Sequence, residues 1–242
     1  MSNKRVVFIT GCSSGIGYGL TKHYLEEGAE VYALSRRQPD EFTSFSNFHF
    51  KSIDLNDLEG VSLQLKSLLE NVNQIDLAVL NAGIIGEIKD MVDTSISEIR
   101  NVMDVNVWAN KLILDELLNS ERALKQVVAI SSGASVNGNR GWSAYSLSKA
   151  SLNMLIKLYA AEHPEVQFNS FAPGLVDTAM QDYLCGDELD EEKFPSAKRL
   201  KAARNTPTMP KPAEAAQVFD KAFSSLFKYD SGEYVDVRKM GE

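Results

Sequence analysis

The sequence predicts a doubly wound α/β fold, one parallel sheet with helices on both faces, in a single domain over residues 1–242. Three observations predict it. Short, nearly all-apolar runs alternate with helical segments along the chain, as right-handed βαβ units require. Those runs are apolar at successive positions, which fits strands buried on both faces. A glycine-rich turn joins the first run to the first helix, and such sheets bind ligands at the carboxyl ends of their strands.

The elements follow in order. Val6 to Ile9 is the first apolar strand, and a helix runs from about Gly15 to Glu27. Glu30 to Leu34 (EVYAL) and Phe48 to Ile53 are the second and third strands. Leu58 to Leu69 repeats leucine at helical spacing, and Ile75 to Leu80 (IDLAVL) is the fourth strand. One long helix covers Ile96 to Leu118. Gln126 to Ile130 is the fifth strand, and Ser143 to Ala161 a further helix. Val166 to Phe171 and Glu233 to Val237 complete the sheet. Between Val176 and Pro212 no strand pattern appears; the stretch is charged and bounded by prolines. Residues 179–211 are therefore expected to be a disordered insertion or a mobile lid over the site. No internal repeat or dividing linker interrupts the chain.

Composition narrows the function. An apolar fraction of 44% and a charged fraction of 24% are ordinary for a globular chain. A net charge of -8 repels phosphate polymers, so no nucleic acid is expected as partner, though a local basic pocket can still hold a small phosphate. Cys12 and Cys185 form no disulfide framework, which points to a reducing cytoplasm. His23, His49 and His163 are scattered without metal-ligand spacing, so no metal is expected. The Val6–Ile9 run is too short for a signal core or a membrane span, so no membrane is expected either.

The first strand ends in Thr10-Gly11-Cys12-Ser13-Ser14-Gly15-Ile16-Gly17. Gly11 permits a tight exit from the strand, and Gly15 and Gly17 permit close approach of backbone to a pyrophosphate and of helix to strand. The helix N-terminus beyond them presents free N–H groups to phosphate. The second strand ends in Ser35-Arg36-Arg37, where a carboxylate would grip the ribose hydroxyls of NAD. Arg36 instead offers a permanently charged fork that suits a 2′-phosphate. A solvated arginine pair is the bland alternative.

TGCSSGIG resembles the TGxxxGIG of the short-chain dehydrogenase/reductase family, a Rossmann-type fold, and the resemblance continues in order to about Val176. It implies NADP as cofactor from the basic residue at Arg36, with Ser13, Ser14, Ile16, Ser35 and Arg37 in the same binding loops. It implies that Asp54, with Leu55 beside it, contacts adenine. Asn81-Ala82-Gly83 resembles the family's NNAG, with Leu80 in place of the first asparagine. Tyr145-Ser146-Leu147-Ser148-Lys149 matches YxxxK, whose two key residues lie four apart on one helical face. A free tyrosine, of pKa about 10, is a poor base at neutral pH, and Lys149 is expected to lower it by roughly 1–3 units. Ser132 lies 13 residues before Tyr145, the family's spacing for the serine that polarises the substrate oxygen; Ser131 and Ser135 compete for that role. Asn106 matches the family's helical asparagine, which holds a water linking lysine to solvent. Pro173-Gly174-Leu175-Val176-Asp177-Thr178 resembles PGxxxT, with Val176 and Thr178 expected at the nicotinamide.

The resulting expectation is an enzyme that reduces a carbonyl with NADPH, or oxidises the corresponding alcohol with NADP. A non-catalytic NADP-binding regulator of the same fold is the alternative. A nucleotide-sugar epimerase or dehydratase is a third, for which the chain lacks a larger C-terminal domain. The segment SSGASVNGNRGWSAYSLSK is similar to benzil and sepiapterin reductases. Trp142, Met180 and Tyr183 would give an aromatic, apolar pocket for neutral aromatic ketones or adjacent dicarbonyls. Asp182, Asp187, Glu188, Asp190, Glu191 and Glu192 would add a field that disfavours anions. Apolar residues such as Leu112, Leu114, Leu155 and Leu158 exceed one core stripe, so a homodimer or homotetramer is expected.

Overall fold

The computed structural model describes residues 4–241. Seven strands form one parallel sheet in the order β3-β2-β1-β5-β7-β8-β9. They are β1 (Val6–Thr10), β2 (Glu30–Ser35), β3 (Phe48–Ser52), β5 (Leu77–Leu80), β7 (Gln126–Ile130), β8 (Gln167–Ala172) and β9 (Tyr234–Asp236). Winding reverses between β1 and β5, which opens the crevice where such sheets take their ligands.

The central strands β1, β5 and β7 are mostly apolar because each face meets helices. On one side Phe8, Ala78 and Val127 pack under α2 (Leu58–Leu68), α4 (Ala109–Leu118) and α5 (Ser143–Glu162). On the other, Val7, Ile9 and Val31 pack under α1 (Gly15–Glu26) and α8 (Pro212–Ser225). Residues alternate between these two cores along β1, as the pleat requires.

The structure departs from the sequence expectation in four places. The strand expected over Ile75 to Leu80 is divided at Asp76. Gln74–Ile75 (β4) pairs instead with Ala123–Leu124 (β6) in a separate two-stranded sheet. Asp76 holds this corner by accepting from the Val6 N–H at 2.8 Å and pairing with Lys125 at 2.5 Å. The helix expected over Ile96 to Leu118 runs as α3 (Ile96–Met103), a π-helical turn (Asp104–Trp108) and then α4. The turn centres on Asn106, and such turns mark places where a helix is reshaped around a site.

The segment 179–211 is built of α6 (Ala179–Leu184) and α7 (Pro195–Ala203), both unexpected from the sequence. They form a third apolar cluster of Leu184, Phe194, Leu200 and Met209 against Ile88. α8 was also missed. Its signals were Pro212 at the first helical position, Glu214 bonding back to the Lys211 N–H at 3.0 Å, and apolar spacing through Ala215, Phe219 and Phe223.

Candidate active site

The crevice at the switch point is a cleft of about 370 Å³. Thr10 ties its floor together from inside the sheet, its hydroxyl accepting from the Asn81 and Ala82 N–H groups at 2.9 and 3.0 Å. Asn81 replies through its amide, which donates to the carbonyls of Thr10 and Gly11 at 3.0 and 3.2 Å. The ends of β1 and β5 are thereby locked at the one point where the sheet opens.

Most of the residues read from the sequence line this cleft. Gly11, Ser13, Ser14, Gly15 and Ile16 form one end, with Ser35, Arg36, Asp54 and Leu55 beside them. Asn81, Ala82 and Gly83 form the floor, and Ser132, Tyr145 and Lys149 the far wall. Pro173, Gly174, Val176 and Thr178 close the side.

Three do not line it. Gly17 faces away: a Cβ there would sit 2.3 Å from the Gly11 carbonyl oxygen and 2.4 Å from the Asn81 amide nitrogen. Its missing side chain lets α1 dock on β1 and does not itself touch the cleft. Arg37 is exposed outside the cleft, and its carbonyl accepts from Ser35 Oγ at 2.6 Å. Asn106 is wholly buried. Its Oδ1 accepts from the Ile84 N–H at 2.8 Å, and its Nδ2 donates to the Ile84 carbonyl and Ser148 Oγ at 2.8 and 2.9 Å. Its backbone carbonyl accepts from Asn110 Nδ2 at 2.8 Å. Through its side chain Asn106 joins the loop after β5 to α5, and its carbonyl, with one donor from Asn110, keeps a second lone pair.

The cleft fits a dinucleotide phosphate at one end. Gly15 has φ +57°, and a Cβ there would press on the Thr178 methyl at 3.2 Å. Ser14 caps α1 without a side-chain hydrogen bond, so the first N–H groups of the helix stay free for an anion. Arg36 has no ion pair among the described residues and stands exposed at the end of β2. No His/Cys/Asp/Glu group of metal-binding size occurs among the described residues.

At the other end, burial sets the protonation states. Tyr145 is pushed up to about 12 by loss of water, with the Ser132 hydroxyl opposing. Lys149 is pulled down to about 8 by the same cause. Its Nζ donates to the Ile130 carbonyl at 2.7 Å and stands 5.7 Å from the centre of the Tyr145 ring. The expected lowering of Tyr145 is therefore reversed in the protein alone: desolvation dominates, and the Ser132 hydroxyl opposes it only in part. At neutral pH Tyr145 is a phenol, placed to give up a proton.

The roof comes from the 179–211 segment. Met180, Gln181, Leu184 and Leu200 line the cleft opposite Trp142. Gln181 was not foreseen; three residues after Thr178, it is placed there by the first turn of α6. Trp142 both lines the cleft and is fixed, donating from Nε1 to Ser196 Oγ at 2.7 Å with its ring 5.8 Å from that of Tyr145. Tyr183 turns away from the cleft and accepts from the Ile88 N–H at 2.9 Å. Half of the acidic residues expected to form a field here are paired with cations of the same segment: Lys201 pairs with Asp187 and Glu191, and Arg204 with Asp182.

Residues 5–188 match the short chain dehydrogenase family. The chain is 31% identical over 255 residues to benzil reductase ((S)-benzoin forming) of Bacillus cereus, covering 98% of this chain and 100% of that protein. It is similar to the crystal structure of a short chain dehydrogenase/reductase from Saccharomyces cerevisiae, with a TM-score of 0.84, 21% identity and coverage of 98% and 97% of the two chains. It is also similar to the structure of ElxO with NADP bound, with a TM-score of 0.79, 20% identity and 97% coverage of each chain.

Proposed function

The chain belongs to the short-chain dehydrogenase family, and we propose that within it this protein reduces a neutral carbonyl compound with NADPH. The observation that carries the reading is the convergence of Ser132, Tyr145 and Lys149 on one wall of a cleft whose other end offers free helix N–H groups and Arg36. Bound NADPH would supply the hydride. Ser132 polarises the substrate oxygen, Tyr145 donates the proton to it, and Lys149 supplies the positive charge that steadies the phenolate left behind. Gly11 to Ile16 hold the pyrophosphate, and Thr178 and Val176 orient the nicotinamide end. A non-catalytic NADP-binding role would give no reason for a desolvated phenol beside a desolvated ammonium. The two cysteines are free and buried, in keeping with a cytoplasmic setting. No described helix is long and apolar enough to cross a membrane.

Arg36 sets the cofactor choice. Arg36→Ala is expected to weaken NADPH binding about 10–100-fold, the scale of a lost charged hydrogen bond, while leaving NADH nearly untouched. Titration of both cofactors against both proteins measures this. A wild type that prefers NADH overturns it.

The substrate class follows from the cleft lining near Tyr145, where Trp142, Met180, Leu184 and Leu200 present flat and apolar surface. We assign neutral aromatic ketones or adjacent diketones of the benzil kind. The relative from Bacillus cereus carries that activity in its name. Catalytic efficiency should favour an aromatic diketone over a keto acid or an acetoacetyl thioester by about tenfold or more. Either competitor winning by that margin removes the pocket argument and leaves hydride transfer standing.

Assembly is read from α5 and the π-turn. Leu114 is a core residue and Leu112 and Leu155 are half-buried, so those three do not need a partner. Leu158 does remain exposed, and Leu147, Met154 and Trp108 join it. Leu147, Met154 and Leu158 lie along one face of α5, a stripe that a second copy would cover. We expect light scattering at micromolar concentration to give a dimer or tetramer mass; a monomer mass removes this reading.

A further inference from the structure

Helix α5 carries a third polar residue in register with the pair it contributes to the site: Tyr145, Lys149 and Asn153 are spaced four apart and share one face. Asn153 stays behind the cleft wall. Its amide sits between two serines of the loop after β7. Ser131 Oγ lies 2.6 Å from Oδ1, and Ser135 Oγ lies 2.8 Å from Nδ2. Ser135 Oγ also lies 2.6 Å from the backbone carbonyl oxygen of Ser132.

Counting protons fixes the direction of every bond. A carbonyl has none to give, so Ser135 must direct its single hydroxyl proton at the Ser132 carbonyl. The end of Asn153 that faces Ser135 must then donate, which makes it the nitrogen. The other end is the oxygen, and Ser131 must donate to it. The chain runs one way, and the amide supplies one donor and one acceptor at these two points, which a carboxylate cannot.

We infer that Asn153 is a positioning residue for Ser132. Its amide aims the Ser135 hydroxyl at the carbonyl of the Ser132–Gly133 peptide, which the Ser135 N–H at 3.0 Å and the Tyr234 hydroxyl at 3.4 Å also hold. That peptide in turn sets the side chain. The Ala134 N–H donates to Ser132 Oγ at 3.1 Å, which occupies an oxygen lone pair and leaves the hydroxyl proton for the substrate oxygen. One helix thus carries the proton donor, its charged neighbour and the residue that aligns the third group from behind. The consequence for turnover rests on the carbonyl-reductase reading above; the consequence for the loop does not.

Asn153→Asp is nearly isosteric and tests the direction of the bonds. As a carboxylate it offers only acceptors, competes for the Ser135 proton and strips the Ser132 carbonyl of its shortest bond. Protonated, it again offers one donor and one acceptor. With NADPH and an aromatic diketone, kcat of Asn153→Asp should be about tenfold below wild type at pH 8. The deficit should narrow as pH falls to 5, while KM for NADPH stays unchanged. Asn153→Ala should show the same deficit at every pH. Exchange of the Ala134 amide, corrected for intrinsic rate, should be faster than wild type in both variants at pH 8. Wild-type kcat in Asn153→Asp, or a deficit that tracks Asn153→Ala at every pH, overturns the inference. If the wild type reduces no carbonyl, the functional reading fails, and the Ala134 exchange still decides: unchanged exchange in both variants removes the positioning role.

Discussion

Replacing Tyr145 by Phe is expected to lower carbonyl turnover by at least about 10²-fold while leaving NADPH affinity within about twofold. The ring is mostly buried, and its contact with Trp142 survives the change. Only the transferable proton is removed. Because burial pushes the phenol up to about 12, wild-type Tyr145 carries that proton throughout the neutral range. Stability should therefore change little, and loss of turnover cannot be charged to unfolding. Stopped-flow NADPH oxidation with parallel cofactor titration measures both quantities. Near-normal turnover would mean that another group supplies the proton.

Lys149→Met is expected to have two opposite effects. Turnover should fall at least as far as in Tyr145→Phe, because the phenolate formed after proton transfer loses its counter-charge. Stability should rise. The lysine is pulled from 10.5 in a solvated chain to about 8 here, so the unfolded chain holds its proton more tightly than the folded one. The buried ammonium thus opposes folding fully below about pH 8, and the cost fades as pH climbs from 8 toward 10.5. Removing it should gain about 1–3 kcal/mol at pH 7, less whatever the bond to the Ile130 carbonyl returns. Thermal melts of both proteins across this range check the sign: the variant should melt higher at pH 7, and the gap should close above pH 8. The same titration shapes catalysis. Reduction by the wild type should decline as pH rises through about 8, where Lys149 loses its charge while Tyr145 keeps its proton. A variant that melts lower than wild type at pH 7 would show that the Ile130 contact outweighs desolvation.

Both variants touch residues whose grouping was legible before any coordinates. Strands β1 and β7 were readable because burial on both faces demands apolar runs. The glycine loop and the Tyr145–Lys149 pair were readable because each needs a particular residue at a particular spacing: glycine where backbones nearly touch, and a four-residue step where two side chains share a helical face; Ser132 was singled out from Ser131 and Ser135 only by the family resemblance. Arg36 was readable because a cation at that strand end stands where a carboxylate would otherwise lie.

The sequence alone therefore determined the fold class, the end of the sheet that holds the site, and the chemical types gathered there. Tertiary structure decided what those groups do to one another. Whether Tyr145 rises or falls depends on how much water reaches it and where Lys149 points, and both are set by packing between α5, β7 and the 179–211 roof. Whether Tyr183 meets the cleft or the Ile88 backbone depends on the rotation of α6, a helix too short to show a periodic pattern. The bonds of Asn106 to Ile84 and Ser148 are made from within a π-turn, which has no sequence signature of its own. Asn153 was invisible for the same reason: an asparagine on a half-exposed helix face gains a role only when a loop 18 and 22 residues earlier folds back onto it. Local pattern reports what a residue can be; contact distant in sequence fixes its protonation, direction and partner, because desolvation and hydrogen-bond geometry belong to the assembled environment and not to the segment.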